Sequence, residues 1–107
     1  MNNQGLSQDF IIVLQSQQEL RFQFVLAEID LAAVFIEIAL NTSIDDRLRR
    51  NSRLAYVALG TANRFMKGRK LTSKMTQAIN DRLRDLRPKL KELKMKASKR
   101  QVDLPVH

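Results

Sequence analysis

Residues 24–40 read FVLAEIDLAAVFIEIAL, a stretch apolar enough to suggest a membrane span, a buried core helix or a partner-binding helix. Only Glu28, Asp30 and Glu37 interrupt it. A bilayer core asks for about 20 apolar residues and penalises a central carboxylate by roughly 2.5 kcal/mol or more, so the three carboxylates argue against membrane insertion. On a helical wheel at ~100° per residue, the stretch and its approach carry two apolar lines. Phe22, Val25, Ile29, Ala33, Ile36 and Leu40 make the first; Leu20, Phe24, Ala27, Leu31, Val34 and Ile38 make the second. Thin polar strips, with Glu19, Gln23, Asp30 and Glu37 on one side and Arg21 and Glu28 on the other, separate them. A helix with two apolar faces needs two neighbours, which predicts a central, sandwiched helix. The next helix should cover one face. The other goes to a third helix, to residues 9–18 folding back, or to a second protein chain, which makes Phe24, Leu31, Val34 and Ile38 candidate interface residues.

Working outward, the first helix begins at Ser7 or Glu19 and ends at Asn41-Thr42. The run FIIVL at 10–14 has no second strand-like run to pair with, so helix is preferred there, and the polar QSQQ at 15–18 marks a kink or a short connection. Ser43 is placed to cap the second helix, with Asp46 three residues on in the capping-box position. That helix should bury Leu48, Ser52, Ala55, Leu59, Ala62 and Met66, with Ala58 and Phe65 beside them, and stop near Gly68. Arg69, Lys70 and Leu71 make a turn, and Thr72 or Ser73 caps a third helix running to about Ser98. Its narrow apolar line, Met75, Ile79, Leu83, Leu86, Leu90, Leu93 and Ala97, has coiled-coil spacing. Pro88 lies inside this helix, which therefore either kinks or breaks into two there, and because Pro88 projects away from that line a solvent-side kink is the milder outcome. The expected fold is all-α, a compact antiparallel bundle of three or four helices formed by residues 1–98 as one domain, with a flexible tail over 99–107.

Composition narrows the chemistry. The 107 residues contain no cysteine, so disulfides, thiolate metal sites and cysteine nucleophiles are excluded, in keeping with a cytoplasmic protein. No targeting segment is expected: the N-terminus lacks the basic start of a signal peptide. The lone histidine is His107, without a catalytic context, and no Glu-x-x-His pairs or glycine-rich phosphate loop are present. No cofactor, metal site or enzymatic activity is predicted. Ala55, Leu59, Gly60 and Ala62 resemble the first helix of a tetratricopeptide repeat, but the similarity stops after eight residues and no second repeat follows.

Charge is divided unevenly. The net charge is +8, yet residues 1–46 hold one basic side chain, Arg21, against seven acidic ones. The acids of the first helix are therefore expected to meet arginines of later helices or to line a solvent edge. On the third helix, Asp85–Lys89 and Glu92–Lys96 are placed as ordinary pairs four residues apart. The other flank has Arg84, Arg87, Lys91 and Lys94 in a row, and the second helix has Arg49, Arg53, Arg64 and Lys67. Rows facing the same way would form one basic surface suited to phosphates. With Tyr56 as the only tyrosine and no Trp, the rows lack the aromatics that read bases. The preferred reading is a non-enzymatic protein–protein interaction module, an adaptor or regulator. Its partner is an acidic protein surface or a second copy met through the first helix. The alternative is a nucleic-acid-associated protein that grips backbone phosphates without sequence preference.

Overall fold

Between Leu6 and Asn41 the chain contains neither Gly nor Pro. The backbone accordingly runs as one uninterrupted helix, α1, Gln4–Asn41. The QSQQ segment does not break it into two helices, since Gln and Ser each give up only about 0.7 kcal/mol or less of helix propensity against Ala. The computed structural model describes residues 4–67 and 71–105, with side chains from residue 8 onward. Two further helices follow, α2 Asp45–Met66 and α3 Ser73–Lys99. The described residues form an all-α three-helix bundle with no fourth helix and no strand. α1 is its centre: it packs against both others, most extensively against α2, while α2 and α3 barely touch.

Local capping sets where these helices begin and end. Thr72 caps α3 as expected, its hydroxyl accepting the Met75 backbone N–H at 3.1 Å. Ser43 does not cap α2. Ile44 occupies the cap position without a side-chain hydrogen bond, and Thr42 Oγ1 instead accepts the Ile44 N–H at 3.2 Å. Asp46, free of any capping box, pairs with Arg49 at 2.9 Å. Asp45 and Asp46 still favour this end, where negative charge complements the helix dipole. α2 ends at Met66, capped by the extended Lys67; the stop expected of Gly68, and the turn at Arg69 and Lys70, lie outside the described residues. α3 passes continuously through Pro88, which sits exposed.

The core is the meeting of three apolar lines. α1 buries Val25, Ile29, Ala32, Ile36 and Ala39; α2 buries Leu48, Ser52, Ala55, Ala58 and Ala62; α3 buries Ile79, Leu86, Leu93 and Ala97. The α1 residues alternate by four and three, so they form one stripe, and the small residues of α2 let its backbone approach that stripe closely. Each fully buried Leu or Ile contributes roughly 1.5–3 kcal/mol over its exposed state.

Polar contacts tie α3 to the far end of α1. Arg82 pairs with Asp30 and Lys89 with Glu37, so the acids of α1 do meet cations of a later helix. Lys89 thus turns to α1 rather than to Asp85. Lys96 likewise leaves Glu92: its Nζ donates to the carbonyls of Ala39 and Leu40 at 2.8 Å each and of Thr42 at 2.5 Å. The last carbonyls of a helix lack intrahelical donors and carry partial negative charge, so one ammonium satisfies two of them together with the Thr42 carbonyl just past the helix. Desolvation and the neighbouring Arg100 guanidinium push the Lys96 pKa down; the carbonyls act against both.

Where the sequence suggests a frayed tail from residue 99, residues 100–105 dock on the body. Gln101 takes a left-handed conformation with φ 56°. Its N–H donates to Ser98 O at 3.2 Å and the Val102 N–H to Ala97 O at 2.8 Å, a Schellman termination whose apolar contact joins Val102 to Ala97 in the core. Arg100 Nε donates to Asp45 Oδ1 at 2.6 Å and Nη2 to Ser43 O at 2.5 Å, locking the α3 end against the α1–α2 turn.

Two stability changes are expected, both measurable by urea denaturation. Gln101→Gly removes the steric cost of the left-handed conformation and should stabilise the fold by up to about 1 kcal/mol. Lys96→Met strands three carbonyls and should destabilise it by about 1.5–3 kcal/mol.

Candidate interaction surfaces

The second apolar line of α1 is uncovered. Leu20 is 70 % exposed and Val34 54 %, and Phe24, Leu31 and Ile38 are also exposed. Helical phase explains this: Phe24, Leu31 and Ile38 each precede a buried residue, Val25, Ala32 and Ala39, and therefore point about 100° away from the core stripe. α3 docks on the opposite flank, through Asp30 and Glu37, which follow the stripe instead of preceding it. Among the described residues no helix covers the preceding side.

α2 adds to the same surface. Leu54 and Val57 are exposed and precede the buried Ala55 and Ala58. Because α1 and α2 run antiparallel, a residue preceding the core line turns to the same side on both. Contact confirms that geometry: the Phe24 and Phe65 rings lie 4.5 Å apart between centroids at 47°. The Arg21 guanidinium stands 5.7 Å from the Phe65 ring centroid, in cation–π range. Gln17, Leu20, Arg21, Phe24 and Phe65 line an open cleft at this point. The sequence had singled out Phe24, Leu31, Val34 and Ile38, and the structure brings Leu54, Val57 and Phe65 beside that line. Leu54 and Val57 escaped notice because they fall outside the core spacing of α2; their signal was their constant offset of one residue from it.

Beyond Arg21 the surface changes. Residues 8–20 of α1 project past the ends of α2 and α3, exposed apart from the half-buried Gln18. The molecule measures 69 × 21 × 20 Å as a result. Phe10, Ile11, Ile12, Val13 and Leu14 are all exposed in this projection. Five consecutive apolar residues pass all the way round a helix, the pattern of one buried on every side.

The basic candidates occupy a different side. On α2, Arg49, Arg53 and Lys67 follow Leu48, Ser52 and Met66; on α3, Arg84, Arg87, Lys91 and Lys94 follow Leu83, Leu86, Leu90 and Leu93. Both rows therefore turn towards the open seam between α2 and α3. That seam is a groove with Leu59, Ala62 and Met66 on one wall and Leu83, Leu86 and Leu90 on the other, and Arg87 at its edge. Arg64 is two positions past Ala62, and its Nη2 donates to Thr61 Oγ1 at 3.2 Å. The rows are less free of acid than their spacing suggested, since Arg49 pairs with Asp46 and Arg84 with Asp81 at 3.3 Å. Arg47 and Arg50, outside the predicted row, join Arg49 and Arg53 around a shallow arginine-rich depression at the start of α2. Burial raises the pKa of Tyr56 beside these residues.

Among the described residues no helix is long and apolar enough to cross a membrane, and no cluster of three or more His, Cys, Asp or Glu could hold a metal ion. In comparisons with known proteins, the chain matches no family model, no curated protein and no solved structure.

The aromatic contact across α1 and α2 should be measurable as coupling. A double-mutant cycle of Phe24→Ala and Phe65→Ala, read by thermal or urea unfolding, should return an interaction of about 0.5–1.5 kcal/mol.

Proposed function

We propose that this chain is a non-enzymatic, cytoplasmic protein–protein interaction module, an adaptor or regulator that works through apolar surface on α1 and α2. The observation that carries this reading is the uncovered line from Leu20 to Ile38, widened by Leu54, Val57 and Phe65. Single exposed apolar residues are normal on any protein, whereas a contiguous patch marks a binding surface. Exposed hydrophobics placed at core-like spacing along two adjacent helices are such a patch.

The basic side supports a second contact. Arg53, Lys67, Arg87, Lys91 and Lys94 enter none of the ion pairs found among the described residues. Arg87 edges a groove with apolar walls, which suits an acidic protein segment that also has apolar residues to bury. Phosphate backbone binding is the competing use of the same cations, favoured by their number and exposure.

Salt separates the two. Binding through apolar surface should survive about 1 M NaCl and be lost in Leu31→Asp and Ile38→Asp, whereas phosphate binding falls by orders of magnitude over a few-fold rise in salt. The measurement is light scattering on the eluting protein with absorbance at 260 nm recorded alongside. A mass above 12.4 kDa that persists in salt and drops in the two Asp variants is the expected result. A 260 nm signal removed by salt, and weakened evenly by changing Arg84, Arg87, Lys91 and Lys94 to Gln, would replace this reading with the phosphate one.

A further inference from the structure

Resting on that interaction reading, we propose that the occupant of the α1–α2 surface is a second copy of this chain. The two α1 helices pair antiparallel, so that residues 10–20 of each copy lie over the exposed α1–α2 surface of the other.

The exposed line does not stop where the bundle ends. From Leu20 it continues towards the N-terminus through Gln17, Val13 and Phe10 at the same alternation of three and four, and all are exposed. A seam of that period sustained over four heptads is the pattern that pairs two helices. No ionised side chain occupies a seam position from Phe10 to Ile38; Arg21 and Glu28 border the seam on one side, and Asp30 and Glu37 are held on the other flank by α3.

Each copy has an excess and a deficit that match. The excess is residues 10–14, apolar on every side of a helix and exposed. The deficit is the stretch from Phe24 to Val34, an apolar floor broadened by α2 and left exposed among the described residues. Antiparallel pairing sets Leu20 against Phe24, Gln17 against Ala27, Val13 against Leu31 and Phe10 against Val34, and repeats each contact about a twofold axis beside Phe22. The cleft between Gln17, Leu20, Phe24 and Phe65 then lies at the centre of the interface, where the second copy's Leu20 enters it. Gln17 is the one polar member of the seam, and a single such residue sets register. Parallel pairing would place the two projections against each other and leave Leu54 and Val57 bare.

Area agrees with this occupant. The exposed fractions of the seam and its α2 flank, applied to ordinary side-chain areas, amount to on the order of 800 Å² per copy, the size of a standard stable interface.

The absence of cysteine from the chain makes the register directly testable. Val13→Cys and Leu31→Cys are both surface changes, and circular dichroism checks that each variant stays helical. One of the two carries a mass tag, and the proteins are mixed and oxidised. The expected product is the disulfide between Val13→Cys of one chain and Leu31→Cys of the other, with little linkage in either variant alone, since a disulfide needs Cα atoms within about 7 Å. Efficient linkage of Val13→Cys to itself, without the mixed product, overturns the antiparallel arrangement. A mass of 12.4 kDa at high micromolar concentration overturns self-pairing altogether. In that case binding of an apolar dye to the monomer would retain the interaction module with a different partner, and no dye binding would remove both.

Discussion

A single helix in this chain carries more apolar surface than α2 and α3 cover. Two seams run along α1, offset by one residue and hence by about 100°. α2 and α3 together close on one of them, because both approach from the side of Val25, Ile29, Ala32, Ile36 and Ala39. That single commitment determines the rest. α3 can reach α1 only on the Asp30 and Glu37 flank, α2 is held where Phe65 meets Phe24, and the seam from Leu20 to Ile38 is left facing water.

The bundle is consequently asymmetric in what holds it. Close approach of small residues binds α2 to α1, whereas α3 joins through a thin apolar line reinforced by charged groups at its edge. Lys96 and Arg100 close the end of the molecule by gripping carbonyl groups at Ala39, Leu40, Thr42 and Ser43. These are oxygens that a helix end and a tight turn would otherwise leave to solvent. At the other end α1 continues past the described residues of α2 and α3. One end is finished within the chain, and the other presents apolar surface outward.

The weak contact between α2 and α3 has its own consequence. A fully closed three-helix bundle would bury Leu59, Met66, Leu83 and Leu90 in a shared core. Here they remain half-buried walls of a groove, and Lys67, Arg84 and Lys91 follow Met66, Leu83 and Leu90 by one position. The apolar α1–α2 surface and the cationic α2–α3 groove are therefore two sides of one arrangement, each produced by which side of its neighbour a helix turns to.

The sequence by itself determined what depends on near neighbours along the chain. The all-α fold, the two seams of α1 and the narrow line of α3 follow from side-chain spacing at a fixed helical period, whereas residue type left the helix count at three or four and the α3 cap between Thr72 and Ser73. It also placed the cations in rows. Only the tertiary structure decided which α1 seam is buried, because that depends on the side from which distant residues arrive. It redirected Lys89 and Lys96 from partners four residues away to α1, where uncompensated carboxylate and carbonyl oxygens attract an ammonium more strongly than an exposed neighbour does. It also docked the tail through Gln101, a residue type with no local preference for a left-handed turn. The anchoring of Val102 in a core built from helices far away in sequence holds it there.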